Sequence, residues 1–286
     1  MITAFLKLPA RLPLSWFHGV GIAVGWLMYW ISPRYAKQVR ENLYASGVCS
    51  NEGDYSATLA EAVRETGKMA TEWIKIWFAS PADFNRMVIG CHGWTVVEEA
   101  RRRGQGIIFL LPHLGSFQIV LRYIAARLPL TALYRPPRQR WRQPFQMAGS
   151  SSAGLSMAST DLRGVQKLYK ALAKSEAIAL PPDQSPNSRG GTWADFFGRS
   201  AYTMTLPRKL QHATGATFIA AYAERLANAK GFRLEVQAVE TKNFDEAALN
   251  RIVENLVRRC PGQYLWGYNR YKVPRKSVRQ PSPAPG

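Results

Sequence analysis

A continuous apolar run of strand length, IIFLL at residues 107–111, is followed at once by the sequence PHLGSFQ (112–118). A strand that is apolar at every position must be covered on both faces, as the central strands of α/β sheets are. Gly115 and Ser116 then mark a turn into a helix that is predicted at 117–127. We therefore expect a layered α/β domain in which helices cover both faces of a sheet.

The alternation of strand-length apolar runs with amphipathic segments continues along the chain. Helices are predicted at 55–78, 93–106, 161–174 and 204–215. Strands are predicted at 130–135, 176–182, 216–225 and 231–239. Polar loops are predicted at 135–160 and 183–192. This order favours the α/β class, with a central mixed β-sheet flanked by helices and an amino-terminal membrane-associated helix.

The longest uncharged apolar stretch is SWFHGVGIAVGWLMYWIS, at residues 15–32. It is borderline for crossing a bilayer, which takes about 20 apolar residues. No small-residue cleavage site follows it, so we interpret it as a retained anchor that either spans the membrane or lies in its interface, with an internal core helix as the alternative. Basic residues follow directly, at Arg34, Lys37 and Arg40, and the positive-inside rule then puts the rest of the chain in the cytoplasm.

The chain is accordingly divided into three parts. They are an amino-terminal anchor region (1–40), a main domain (41–272) and a basic tail (273–286). The tail is rich in proline and is expected to be disordered.

Lysine and arginine total 38 against 19 aspartate and glutamate, which gives a formal charge of +19 over 286 residues. A positive field of this size indicates an anionic partner. The sequence has no zinc-finger, basic-zipper or RNP-type signature, so a nucleic-acid partner is not expected, although charge alone leaves it as a rival interpretation. Aromatic residues interleaved with Arg and Lys are typical of a surface that meets anionic lipid. Three cysteines at unrelated spacings predict no metal site and fit a reducing compartment.

Two polar residues directly follow predicted strands, His113 after 107–111 and Asp183 after 176–182. Catalytic groups collect beyond the carboxyl ends of strands in open α/β sheets, so the two side chains are candidates for one site. A lone histidine is more often structural, but Gly115 and Ser116 open a helix whose free N–H groups favour an anion or oxyanion beside the imidazole. The amide oxygen of Gln118 is expected to accept from a ring N–H and fix the tautomer. Asp183 also has a structural alternative as a turn residue.

Four segments resemble one family in order and spacing. LLPHLGSFQ is similar to the His-x4-Asp/Glu motif of glycerolipid-type acyltransferases, within the superfamily of lysophospholipid acyltransferases. The other three resemble segments of the late acyltransferases of lipid A biosynthesis, of the lauroyl and myristoyl type. They are RENLYAS (40–46), PPDQSPNSRGGTWADFFGRSAYT (181–203, with TGA at 214–216) and PGQYLWGYNRYK (261–272). The resemblance covers residues 5–272.

The resemblance implies transfer of an acyl chain from acyl carrier protein to a hydroxyl of a lipid A precursor. It places this reaction at the cytoplasmic face of the inner membrane of a Gram-negative bacterium. No cofactor is implied beyond the acyl carrier protein thioester as co-substrate, and no metal. His113 is expected to act as the general base for the attacking hydroxyl. Direct attack is favoured over a covalent acyl-enzyme, for which Ser116 would be the nucleophile.

The sequence departs from the family at position 118, where the motif has a carboxylate and this chain has Gln118. A carboxylate orients the imidazole and stabilises the imidazolium, whereas an amide can only orient it. Either Asp183 supplies the missing charge, or turnover is slow, or the site has lost catalysis. The acceptor also stays open, because the motif is equally compatible with another lysolipid or an aminolipid. A catalytically silent membrane-binding homologue is the remaining alternative.

Further substrate-binding candidates are arginines and aromatic residues. Arg135 begins a run with Arg138 that is expected to hold lipid phosphates, against the alternative of a solvated basic loop. Arg189 is a similar candidate. Phe196 and Phe197 are expected to wall the site, as apolar filler or as acyl-chain contacts. Gly115 and Ser116 complete the predicted binding set.

Overall fold

The structure is a computed structural model, and it describes residues 8–135, 154–187 and 190–274. Arg138, Arg189 and residues 275–286 of the predicted tail lie outside these ranges. The helices within them are α1 (Leu14–Ile31), α2 (Pro33–Ala45), α3 (Glu52–Phe78), α4 (Pro81–Met87), α5 (Thr95–Arg102), α6 (Phe117–Ala125), α7 (Leu162–Ala173), α8 (Leu206–Thr214) and α9 (Glu246–Val257). Short 3₁₀ turns lie at Pro9–Arg11, Ala227–Ala229 and Pro261–Gln263.

The strands are β1 (Val88–His92), β2 (Ile107–Leu110), β3 (Leu130–Tyr134), β4 (Leu155–Ser159), β5 (Ala177–Leu180), β6 (Gly191–Phe196), β7 (Arg199–Met204), β8 (Thr217–Arg225) and β9 (Phe232–Ala238). A seven-stranded sheet has the order β1-β9-β8-β2-β5-β3-β4. Strand β2 pairs in parallel with β5 and β8, and only the β8–β9 pair within this sheet is antiparallel. The predicted mixed sheet flanked by helices is confirmed.

Strand β2 lies at the middle of the sheet and is buried along its whole length. Its side chains alternate between the two faces, as strand geometry requires. Ile108 and Leu110 belong to one hydrophobic core, and Ile107 and Phe109 belong to the other. Because hydrophobic cores lie against both faces of β2, every side chain of the strand is apolar, which accounts for the run IIFLL at 107–111.

Two strands lie where the sequence predicted loops. Strand β4 falls within the predicted loop at 135–160, and β6 begins at the end of the predicted loop at 183–192. Strand β4 is an edge strand of sequence LSMAS and is only partly buried, so its apolar pattern is weak. Strands β6 and β7 form a separate two-stranded antiparallel hairpin, whose aromatic and polar residues resemble a loop in composition.

The amino-terminal apolar stretch forms helix α1, which packs along α3. It is long and apolar enough to cross a membrane by length and composition, and 28% of it is buried in the protein. At Gly25 and Gly67 the two backbones are so close that no side chain fits between them. Helix α1 is thus partly attached to the domain along one face.

Candidate active site

His113 lies in the turn between β2 and α6, and Asp183 lies just after β5. Because β2 and β5 are parallel neighbours, their carboxyl ends meet at one edge of the sheet. The imidazole Nδ1 is 3.0 Å from Asp183 Oδ1, and the backbone N–H of His113 donates to Oδ2 at 2.9 Å. The structure therefore brings together the two residues that the sequence placed after separate strands.

The carboxylate determines which ring nitrogen carries the proton. Since Asp183 Oδ1 accepts from Nδ1–H, the lone pair of the neutral imidazole lies on Nε2. Burial alone would lower the pKa of His113, but the charge of Asp183 raises it above its usual value. Burial would likewise raise the pKa of Asp183, and the imidazole with its hydrogen bonds lowers it instead. The pair is thus held as a carboxylate beside a basic imidazole.

Gln184 contacts the other nitrogen of the ring and was not predicted as a site residue. Its side-chain Nε2 lies 3.1 Å from His113 Nε2, which places an amide N–H donor on the imidazole lone pair. The sequence did contain an indication of this residue, since Gln184 is the third residue of the Pro-Asp-Gln element that resembles the family. Composition did not mark it, because a glutamine in a turn is usually a solvated residue.

A pocket of about 260 Å³ opens beside His113 and is mostly apolar. Its walls come from α3, α6, the first half of β4 and the carboxyl ends of β3 and β5. Its lining includes Trp73, Trp77, Leu121, Tyr134, Leu155 and Met157. An apolar pocket that reaches a polar pair at its mouth is the usual form of a ligand site.

Gln118 does not orient the imidazole, contrary to the expectation from sequence. Its side chain is 8% exposed and lines the pocket, and its Oε1 has no hydrogen-bond partner among the described residues. The reason is that Asp183 already occupies Nδ1 and Gln184 faces Nε2. The charge that position 118 lacks is therefore present at Asp183.

Gly115 and Ser116 are not among the residues that line the pocket, and their own backbone N–H groups are paired within the protein, so the expectation that they bind substrate is corrected. The N–H of Gly115 donates to Gln263 O at 3.0 Å, and that of Ser116 donates to Ala223 O at 2.8 Å. Gly115 has a φ of +58°, and a side chain there would meet the backbone of Ala223. The buried Oγ of Ser116 has no hydrogen-bond partner within the described residues, so no base stands beside it there. The turn is fixed by packing.

The segment 261–272 supports both loops of the site. The backbone N–H of Leu265 donates to His113 O at 3.1 Å. The hydroxyl of Tyr268 accepts from the backbone N–H of Ser185 at 3.0 Å. A resemblance at the end of the chain therefore has a physical counterpart, because this segment holds the His113 turn and the Asp183 loop in place.

A buried ion pair also contacts the His113 turn. Arg225, at the end of β8, donates through Nη2 to Gly115 O at 2.9 Å and to Glu72 Oε1 at 2.7 Å. Its Nε donates to Glu72 Oε2 at 2.9 Å, and His18 Nε2 lies 3.2 Å from the same oxygen. Burial would raise the pKa of Glu72, but Arg225 and His18 outweigh this and lower it to about 2. Sequence reasoning missed this group.

The remaining substrate-binding candidates divide between the pocket and the core. Arg135 is exposed and lines the pocket. Phe196 and Phe197 are 2% and 6% exposed, and both belong to the core against Trp266 and its neighbours instead of the pocket wall. Their rings fill the space between the β6–β7 hairpin and the carboxyl-terminal segment, so the expectation that they wall the site is corrected to core packing.

An imidazole and a carboxylate at the mouth of an apolar pocket are what an enzyme needs to move a proton beside an apolar substrate. The profile of the bacterial lipid A biosynthesis acyltransferases matches residues 1–273. The chain is 26% identical over 275 residues to the lipid A biosynthesis palmitoleoyltransferase of Escherichia coli (strain K12), covering 94% of this chain and 89% of that one. It is similar to the lipid A biosynthesis lauroyltransferase of the same strain, at 25% identity over 285 residues, 96% of this chain and 90% of the relative.

The lipid A biosynthesis acyltransferase of Shigella flexneri is similar to the same degree as the palmitoleoyltransferase, with 26% identity over 275 residues. The chain belongs to the bacterial lipid A biosynthesis acyltransferase family. The resemblance in four short segments is thus confirmed over almost the full length.

Proposed function

We propose that this protein transfers a fatty acyl chain from acyl carrier protein to a hydroxyl of a lipid A precursor at the cytoplasmic face of the inner membrane. The observation that carries the proposal is the His113–Asp183 pair at the mouth of the apolar pocket. A general base, an orienting carboxylate and an apolar chamber are the parts that acyl transfer to an alcohol needs. The family membership supports the lipid A acceptor.

His113 Nε2 is the proton acceptor in this reaction. The acceptor hydroxyl displaces the Gln184 amide from Nε2, loses its proton to the ring, and attacks the thioester carbonyl carbon. The tetrahedral intermediate then collapses, the C–S bond breaks, and the imidazolium returns its proton to the departing thiolate. Asp183 stabilises the imidazolium while it carries that proton. The products are an ester and the free thiol of the carrier.

The oxyanion of the intermediate needs hydrogen-bond donors that the turn itself does not provide. The N–H groups of Phe117 and Gln118 belong to the first turn of α6, where a helix has no internal acceptor for them. The N-terminal end of the helix also favours a developing negative charge. Arg135 at the pocket wall is a second cation for the acceptor or its phosphates. We assign the oxyanion to the N-terminal turn of α6.

Two polar atoms in the pocket support a sugar-like acceptor close to the base. Gln118 Oε1 and the Tyr134 hydroxyl are buried, line the pocket and have no hydrogen-bond partner among the described residues. A buried polar group without a partner is costly, so a substrate hydroxyl or amide that pairs with it gains affinity. Gln118 then acts as a neutral contact for the acceptor, a role that does not need the family's carboxylate.

Helix α7 supports an acidic carrier protein as the donor. Arg163, Lys167, Lys170 and Lys174 recur at helical spacing and are all exposed. Lys167 Nζ donates to Met157 O at 2.9 Å, and Met157 lines the pocket. The basic row therefore begins beside the pocket wall, where an acidic partner would dock to deliver a thioester.

The test is transfer in vitro by the purified protein in detergent. Acyl carrier protein carrying a radiolabelled acyl chain is offered with a lipid A precursor that lacks one acyl chain. The proposal expects an ester product one acyl chain heavier by mass spectrometry, and no product from His113→Ala. Transfer only to a lysophospholipid would reject the acceptor. Absence of transfer from the wild-type protein to any of these lipids would reject catalysis.

A further inference from the structure

We propose that helix α1 lies in the plane of a single membrane leaflet and does not cross the bilayer. Both of its ends would then face the same side as the catalytic domain. The inference rests on the proposed membrane location, and it adds how the protein sits there. Four independent features of the structure lead to it.

The first feature is the close fit of α1 against α3. Gly21 and Gly25 of α1 face Gly67 and Lys68 of α3 with backbone against backbone, and an added Cβ at Gly21, Gly25 or Gly67 would collide with the opposite chain. Two helices this close move as one unit. Helix α1 therefore cannot take an orientation in the membrane that α3 does not share.

The second feature is a set of polar ties along the same face. Thr71 Oγ1 donates to Phe17 O at 2.7 Å, and Lys75 Nζ donates to Ala10 O at 2.9 Å. His18 Nε2 lies 3.2 Å from Glu72 Oε2, inside the protein. The contacts run from residue 10 to residue 25 on the α1 side and from residue 75 down to residue 63 on the α3 side, so the two helices are antiparallel. A spanning helix would have to break these ties or bring α3 with it.

The third feature is the charge on α3. Its polar residues include Glu61, Arg64, Glu65, Lys68, Glu72 and Lys75. A charged side chain at the bilayer centre is strongly unfavourable. Glu72 is moreover paired with Arg225 of the central sheet, which keeps α3 in the globular domain. Helix α3 therefore stays outside the hydrocarbon, and α1 stays beside it.

The fourth feature is the opposite face of α1, which is exposed and apolar over its full length. Trp16 is 51% exposed, Leu27 54% and Trp30 71%. With Leu12, Val20, Ile31 and the exposed Ala23 they recur every three or four residues, which puts them on one side of the helix. No charged residue occurs between Leu12 and Ser32, while Arg11 and Arg34 flank the stripe at its two ends.

This stripe commits the occupant to lipid. A contiguous apolar surface of this length with tryptophans near both ends is typical of a helix at the boundary of headgroups and acyl chains. The flanking arginines meet anionic headgroups at the same depth. The helix has 18 residues, or about 27 Å, which is also short of the roughly 30 Å hydrocarbon core. In-plane seating places the pocket of His113 at the membrane surface without any crossing.

The experiment maps the side of the membrane on which each end of α1 lies. Cys49, Cys91 and Cys260 are replaced by alanine, and single cysteines are introduced as Arg11→Cys, Arg34→Cys and Lys174→Cys in the full chain. All three positions are exposed, and Lys174 reports the catalytic domain. Right-side-out and inverted inner-membrane vesicles are treated with a membrane-impermeant maleimide, with and without detergent.

In-plane seating predicts that all three cysteines are labelled from the cytoplasmic face alone. Labelling of Arg11→Cys from the face opposite to Lys174→Cys would overturn the topology, and so would protection of Arg11→Cys on both faces until detergent is added. Recovery of the active protein in the soluble fraction would instead remove the proposed membrane location, and this topology with it. The failure of either claim can therefore be told apart.

Discussion

Two buried ion pairs hold the turn at residues 113–116, and they differ in what their charges can do. In the pair His113–Asp183, the histidine lines the pocket and is 16% exposed. The pair Arg225–Glu72 contacts the same turn through Gly115 O, and its side chains are 2% and 0% exposed. A charge next to the chemistry must change during the reaction, whereas a charge that positions the turn must not.

The pKa values follow this division. Burial would lower the pKa of His113, but Asp183 raises it above its ordinary value. The pKa of Glu72 is lowered to about 2, and that of Arg225 is raised by Glu72 despite its burial. The imidazole of the first pair can accept a proton at Nε2 while Asp183 holds Nδ1, and the second pair remains ionised throughout.

The largest effect on the rate of acyl transfer is expected for His113→Ala. Loss of a general base costs about 10²- to 10⁴-fold in rate. The backbone N–H of residue 113 still donates to the Asp183 carboxylate in this variant, and the His113 side chain lies at the pocket. The free energy of unfolding should therefore fall less than in Glu72→Gln. The measurement is kcat for acyl transfer together with a denaturation midpoint. A variant with more than half of the wild-type rate would remove His113 from the mechanism.

The opposite result is expected for Glu72→Gln. It removes the carboxylate that accepts two hydrogen bonds from the buried guanidinium of Arg225 and leaves that guanidinium with the more distant Glu65, 3.4 Å from Nη1. Breaking a buried pair costs about 3–5 kcal/mol of stability. The denaturation midpoint should fall well below that of His113→Ala. Glu41→Gln is the matched control, because Glu41 forms an ion pair with Lys37 at the surface. Such exposed pairs contribute about 0–1 kcal/mol to the free energy of unfolding. Equal midpoints for Glu72→Gln and Glu41→Gln would show that the buried pair is not structural.

The sequence led to the His113–Asp183 pair because both of its members follow local patterns. His113 comes after an all-apolar run and Asp183 after another, and the parallel pairing of the two strands does the rest. The Arg225–Glu72 pair joins residues 153 positions apart. Glu72 sits in an amphipathic helix, where a carboxylate normally faces water, so no periodicity marks it as buried.

The errors at Gln118 and Gly115 have a similar cause. The motif suggested that position 118 orients the ring, but the partners of the ring nitrogens depend on which side chains the tertiary structure places beside them. Asp183 from the next parallel strand occupies Nδ1, and Gln263 from the end of the chain takes the N–H of Gly115. The local spacing of residues does not predict contacts between segments that are distant in the sequence. Strand β4 was missed for a different reason, since an edge strand needs little apolar surface.

A smaller effect is expected from the basic row on α7, which lies outside both pairs. Charge reversal by Arg163→Glu, Lys167→Glu and Lys170→Glu should raise KM for acyl carrier protein about tenfold at low salt and leave transfer from acyl-pantetheine unchanged. The matched control reverses Arg101, Arg102 and Arg103, which are also exposed but lead into the amino end of β2 at the other edge of the sheet. Equal loss in the two triple variants would mean that net charge matters and not the surface.

The central claim is that Asp183 tunes His113 as the base, and the pH dependence of kcat/KM tests it most directly. The reaction needs the neutral imidazole, so the rate rises with pH through the pKa of His113 and then levels off. Asp183 raises that pKa. Asp183→Asn should therefore lower the plateau by about 10²- to 10⁴-fold and move the acid limb to lower pH. An acid limb that stays at the wild-type pH in Asp183→Asn, or a plateau that is unchanged, would contradict the account.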